Sequence, residues 1–213
     1  MKNSLASTPA ICVPAPDGAF GWRGQFARPT GFAGRLAGHL MALRNKQRSW
    51  WVLPLLDIHE DDRVLEVGFG SGMDIRRVSE MAIDGFVAGV DHSEVMVEQA
   101  RKRNAAAIRA GRVEIRHAEA LRLPYADESF HKIFSINVAQ FWNDPVEVLE
   151  EMRRVLRSGG LIAVAVQPRR KTRPARETGQ LLVEWLRAAR FSDVRLESKR
   201  MKPAAVMCAL AVK

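Results

Sequence analysis

Three carboxylates and three glycines stand where a sheet would present them to a ligand. Glu66 lies in "VLEVGFGSG" (64–72), just before Gly68, Gly70 and Gly72. Asp91 closes the apolar run in "VAGVDHS", and Glu119 follows "VEIRHA" (113–118). Glycine weakens a strand interior and a carboxylate is costly in a core, so a ligand that needs bare backbone and negative charge together explains the pairing. An ammonium group would suit Glu66. Asp91 lies about 20 residues beyond the glycines, where an acid grips ribose hydroxyls. One carboxylate can accept from both hydroxyls of a vicinal pair. Glu119 can accept from an exocyclic adenine amine, while the N–H of Ala120 serves a ring nitrogen. A tight strand–helix turn with Glu66 as a structural acid would explain the glycines alone, but not the ordered series of acids.

Two phosphate-binding readings fail on particular residues. A P-loop needs Lys and Ser/Thr after its last glycine, and here Met73 and Asp74 follow Gly72. The dinucleotide fingerprint needs glycine at 73, which weakens the case for a nicotinamide-dependent dehydrogenase, and the acid at 119 speaks against it further.

The elements that must position these residues alternate along the chain. Strands are expected at 63–67, 85–90, 113–118, 132–137 and 159–166. Helices are expected at 73–82, at 93–111 with Ser93 as N-cap, at 145–156 with Pro145 in the first turn, and at 176–190. "DVRLESKR" and "AAVMCALAVK" read as two closing strands able to pair antiparallel. Such alternation predicts a mainly parallel sheet with helices on both faces. Ligands bind beyond the carboxyl ends of its strands, so functional residues should sit just after strands. Residues 1–20 read as a flexible leader and 21–32 as irregular. A helix is expected from Ala33 to Trp51, with Leu36, Leu40, Met41 and Leu43 on one side. A short second helix can follow Pro54.

The chain of 213 residues suits one domain with a full core or one domain plus an appendage. No apolar stretch approaches the roughly 20 residues that span a bilayer, and the N-terminus does not read as a signal peptide. Cys12 and Cys208 imply no disulfide framework, so a reducing cytoplasm is the simplest location. The net charge of +9 favours anionic partners. Its one dense run, "PRRKTRPAR" (168–176), is either a solvated loop or an anion-binding rim for a phosphorylated, carboxylated or nucleic-acid substrate.

"EVGFGSG", "VDHSEVMVEQA", "HAEALRLPYADESF" and "EEMRRVLRSGGLIAV" together resemble class I S-adenosylmethionine-dependent methyltransferases, closest to the ubiquinone/menaquinone-type group that handles small molecules. The resemblance covers about residues 60–167. It implies a Rossmann-like α/β fold with a seven-stranded, mostly parallel sheet in the order 3-2-1-4-5-7-6, strand seven antiparallel. It also implies a domain from 59 to 213 behind an N-terminal helical lid at 21–58. The cofactor set it implies is Glu66, Gly68, Gly70, Gly72, Asp91, His92, Met96, Glu119, Ala120 and Asn137. Glu66, Gly68 and Gly70 would border the methionine part, Asp91 the ribose, Glu119 and Ala120 the adenine, with His92 and Met96 flanking the adenosine.

Methyl transfer from a sulfonium needs an in-line nucleophile near 3 Å in a site that excludes water, and much of the acceleration can be positioning. Asn137 ends the fourth strand in "SINVAQFWNDP" and could orient the acceptor, with Gln140, Phe141 and Trp142 lining its pocket. Alternatively the two aromatics are core or interface residues. "NVAQ" is not the Asp/Asn-Pro-Pro-aromatic motif of nucleic-acid amino-methyltransferases. His131 begins the fourth strand, roughly 15–20 Å from its carboxyl end, and is rejected as a base. His117 and His39 are either near the site or ordinary surface histidines. No metal-ligand spacing is evident. Gly31 and Gly34 could let the lid move, and Arg28, Met41 or Asn45 could reach the cofactor, whereas Trp50 and Trp51 could simply pack the helix on the sheet. The expected function is methylation of a small-molecule acceptor. The alternatives are a methyltransferase acting on nucleic acid or its bound proteins, and a cofactor-binding module without turnover.

Overall fold

The computed structural model describes residues 46–168 and 174–213. The segments expected as leader and, for the most part, as lid, with Cys12, Arg28, Gly31, Gly34, His39, Met41 and Asn45, and residues 169–173 of the basic run lie outside them.

Seven strands form one sheet: β1 (Arg63–Val67), β2 (Phe86–Asp91), β3 (Val113–His117), β4 (Phe130–Ile136), β5 (Leu156–Val166), β6 (Ser192–Lys199) and β7 (Val206–Val212). Their order is β3-β2-β1-β4-β5-β7-β6, as the resemblance implies. The ladders from β3 to β5 are parallel, and β7 runs antiparallel to both β5 and β6. Helices α1 (Met73–Met81), α2 (Glu94–Arg103), α3 (Ala105–Arg109), α4 (Pro145–Val155) and α5 (Ala175–Ala188) connect strands, whereas β3 passes to β4 through a loop. Residues 46–52 are helical and run into a 3-10 turn, Leu53–Leu56, where the short second helix is expected.

The central strands β1 and β2 are buried on both faces, which is why they read as apolar runs, whereas the edge strand β3 buries alternate residues. One face packs Leu65, Val67 and Ile133 against Leu149 and Met152 of α4 and Leu182 and Leu186 of α5. The other packs Val64, Val87 and Phe134 against Ile75 and Val78 of α1, Met96 and Val97 of α2, and Val52, Leu53 and Leu56. Glu66 alternates with Leu65 and Val67 and so shares the Val64 face, toward α1.

Element ends differ from expectation for local reasons. The expected helix 93–111 breaks at Asn104, whose side-chain amide donates to Ala100 O (2.8 Å) and across to Gly72 O (3.0 Å). The backbone at Asn104 follows that reach (φ −102°, ψ 13°). α4 starts at Pro145 because Asp144 caps it, accepting from Glu147 N at 3.0 Å. β5 begins at Leu156 rather than 159, directly after α4, and its pairing with β4 shifts register between Phe130 and Lys132. β6 is one of the two edge strands, and Asp193, Arg195, Glu197 and Lys199 alternate in charge along it, all exposed.

Candidate functional site

The sheet reverses its winding between β1 and β4, and the carboxyl ends of these strands are bonded together. Ser135 Oγ, inside β4, donates to the carbonyl of Val67 at 2.8 Å. The chain leaves β1 through Gly68, Gly70 and Gly72, all with positive φ (80°, 54° and 71°). A side chain on Gly68 would strike Val138, just past β4, and one on Gly72 would strike Ala100 and Asn104 on α2. A side chain on Gly70 would meet nothing within 4 Å. Gly68 and Gly72 therefore allow close packing of the loop, while Gly70 borders open space.

Three acids lie around this loop, and Asp91 bonds it directly. Asp91 is buried, and its carboxylate accepts from the Gly70 N–H (2.8 Å) and the Ser93 N–H (2.9 Å). His92 Nδ1 lies 3.7 Å from Asp91 Oδ1. His117 ends β3 and donates from Nε2 to the carbonyl of His92 at 2.8 Å. Burial raises the Asp91 pKa, opposed by those two N–H donors and the neighbouring histidines. Glu66 is buried too. The Ile75 N–H serves its carboxylate, yet burial, then Asp74 and then Asp91, hold its pKa well above the usual range. Its Oε2 is buried without a hydrogen-bond partner. Asp74, in the first turn of α1, is raised by burial, opposed by its bond from Ser49 and by Arg77. Three acids thus surround the loop, and one presents an unsatisfied oxygen.

The remaining residues named from the sequence divide by environment. Glu119 is exposed beyond β3, and Ala120 is half-buried against the core. Met96 is 2 % exposed and packs in the α1–α2 core. Asn137 adopts a left-handed conformation (φ 60°) directly after β4, which asparagine tolerates. Its N–H donates to Ala165 O and its Oδ1 accepts from Gln167 N, both at 2.8 Å, so it clips the end of β4 to the end of β5. Gln140 Nε2 donates to the Asn137 carbonyl at 3.1 Å. Phe141 is exposed, whereas Trp142 packs against the α4–α5 core with its indole N–H buried and unpartnered. His131 binds Asp62 Oδ1 at 3.0 Å at the opposite end of β4.

Several residues that support the loop carried no motif. Asn104 bonds Gly72, Arg103 bonds the carbonyl of Ser71, and Ser135 bonds Val67. An asparagine interrupting a helical run was the only available signal. A cleft of about 690 Å³ at the amino-terminal edge of the sheet is lined by Asp127, Glu150, Arg153, Arg154 and Arg190. Arg154 is tied there to Asp127 and Glu151, so this cleft is an ion-pair network. Among the described residues no cluster of His, Cys, Asp or Glu is arranged to hold a metal, and no helix is long and apolar enough to cross a membrane.

Residues 65–164 match the family model described as a methyltransferase domain. An uncharacterized methyltransferase of Bacillus subtilis, YdaC, is 29 % identical over 181 residues, covering 84 % of this chain and 98 % of its own. The 27-O-demethylrifamycin SV methyltransferase of Amycolatopsis mediterranei is 34 % identical over 110 residues, covering 52 % of this chain and 40 % of its own. The crystal structure of a SAM-dependent methyltransferase from Aquifex aeolicus superposes with a TM-score of 0.63 at 24 % identity, covering 76 % of this chain and 88 % of that one.

Proposed function

We propose that this chain, which belongs to the class I S-adenosylmethionine-dependent methyltransferases, delivers its methyl group to a small-molecule acceptor held over the end of β4. The observation that carries the reading is the direct packing of Val138 on Gly68, which sets the loop after β4 against the glycine loop. An acceptor resting on residues 137–142 then lies beside whatever the glycine loop holds.

The residues fit the cofactor. The unsatisfied Oε2 of Glu66 suits an ammonium donor, and the open face of Gly70 admits close approach of a ligand. Asp91 already accepts two N–H groups, and a carboxylate keeps capacity for ribose hydroxyls. His92, Glu119 and Ala120 follow β2 and β3 at the adenosine end, while Met96 backs them from the core. When bound, S-adenosylmethionine supplies an electrophilic methyl group on a sulfonium. The chain's own task is to orient the acceptor in line and keep water out. Asn137 fixes the floor of the acceptor pocket, Gln140 stiffens the turn, and Phe141 and Trp142 offer aromatic surface. The relative that acts on a rifamycin supports a small-molecule acceptor.

The test is a panel of phenolic, amine, thiol and carboxylate small molecules assayed for S-adenosylhomocysteine release. Turnover with any of them, reduced at least about tenfold by Phe141→Ala or Trp142→Ala, supports the reading. Turnover confined to polynucleotide or protein would replace it with the second reading, which the net charge of +9 motivates. Tight cofactor binding with no turnover across all classes would point instead to a non-catalytic binding module.

A further inference from the structure

Two adjacent residues of the helical segment 46–52 are anchored to opposite sides of the strand reversal. Ser49 Oγ donates to Asp74 Oδ2 at 2.6 Å, and Asp74 follows the glycine loop directly. Arg48 donates from Nε, at 2.8 Å, and from a second guanidinium nitrogen to Oε1 of Gln167, just past β5. The segment therefore spans the region between the cofactor loop and the far strand of the acceptor side.

Gln167 is only 7 % exposed and spends its whole side-chain amide. Oε1 takes the two Arg48 bonds, and Nε2 donates to Lys202 O (3.1 Å) and Ala204 O (2.6 Å). Its N–H donates to Asn137 Oδ1 at 2.8 Å. A primary amide has two donors and two oxygen lone pairs, and all four are engaged. Only glutamine answers this geometry: asparagine is a methylene shorter, glutamate cannot donate to the two carbonyls, and leucine pairs with nothing. The β5–β7 ladder already ends at Val166, so the strand itself does not depend on this side chain.

We propose that Gln167 is a positioning residue for the cofactor, acting through Arg48. It holds segment 46–52 across the mouth of the site, and with the Ser49–Asp74 bond it slows cofactor escape. The inference rests on the cofactor and not on the acceptor, so it stands apart from the small-molecule assignment.

The test uses S-adenosylhomocysteine as probe, with affinity and dissociation rate measured on the full chain beside thermal melting. Gln167→Glu and Gln167→Leu both lose the bonds to Lys202 and Ala204, so both melt lower. Gln167→Glu keeps a charged partner for Arg48, so its affinity should stay within about twofold of wild type. Gln167→Leu should bind at least roughly tenfold more weakly, as expected for loss of bonds to a charged group. Arg48→Met should reproduce that loss, and adding Gln167→Leu to it should weaken binding no further. Hydrogen exchange should show segment 46–52 protected by the ligand in wild type and not in Gln167→Leu. Affinity that merely follows melting temperature across both Gln167 variants, or unchanged affinity in Gln167→Leu and Arg48→Met, overturns the proposal alone. Absence of binding by wild type overturns the cofactor assignment and the proposal with it.

Discussion

Asp91 and Glu66 do different work although both are buried carboxylates. Asp91 accepts from two backbone N–H groups that define the loop around Gly70 and Ser93. Asparagine is a poor substitute, because its NH₂ would face one of those donors and leave it unpaired. Asp91→Asn should therefore lose S-adenosylhomocysteine affinity nearly as far as Asp91→Ala, by about 1–3 kcal/mol, in calorimetric titration. Glu66 is governed by its raised pKa. An acid raised by folding adds stability that is fully present below its unfolded value, here the ordinary 4.5, and is lost as pH rises through the folded value. Glu66→Gln should thus gain melting temperature over wild type progressively as pH rises above 4.5, while binding the cofactor product more weakly. An ammonium group beside Glu66 favours its charged form, so wild type should release protons on binding. Calorimetry in buffers of different ionisation enthalpy reads this, and Glu66→Gln should show less release.

At the scale of elements, the glycine loop separates packing from recognition. Gly72→Ala would drive a methyl into the Ala100 backbone at a positive φ, so it should melt markedly lower than wild type. Gly70→Ala meets no atom, and its cost is the left-handed backbone alone, about 1–2 kcal/mol. It should stay folded yet bind S-adenosylhomocysteine more weakly, as melting and titration together would show. The glycine–acid series and the mainly parallel sheet were legible because apolar runs, turn residues and acids recur with fixed spacing, whereas the strand order came from the family resemblance those motifs carry. Asn137 was legible as a strand-end residue, but its role as a clip between β4 and β5 was not, since that bond spans 30 residues. The helix break at Asn104 and the Arg48–Gln167 contact were hidden for the same reason: both are tertiary hydrogen bonds with no local periodicity.

For the whole molecule, charge and topology set what the surface meets. If the net charge of +9 serves polynucleotide, binding must weaken steeply with salt, whereas the small-molecule reading expects none at about 0.15 M salt. A salt series with single-stranded DNA separates the two. The outer strand bears on handling rather than catalysis. β6 leaves one row of backbone groups unpaired at the rim of the sheet, and a second molecule could dock there edge to edge. Its alternating Asp193, Arg195, Glu197 and Lys199 make such docking demand exact charge register. Replacing all four with threonine would leave the site untouched and should shorten shelf life, with turbidity appearing at lower temperature and lower concentration.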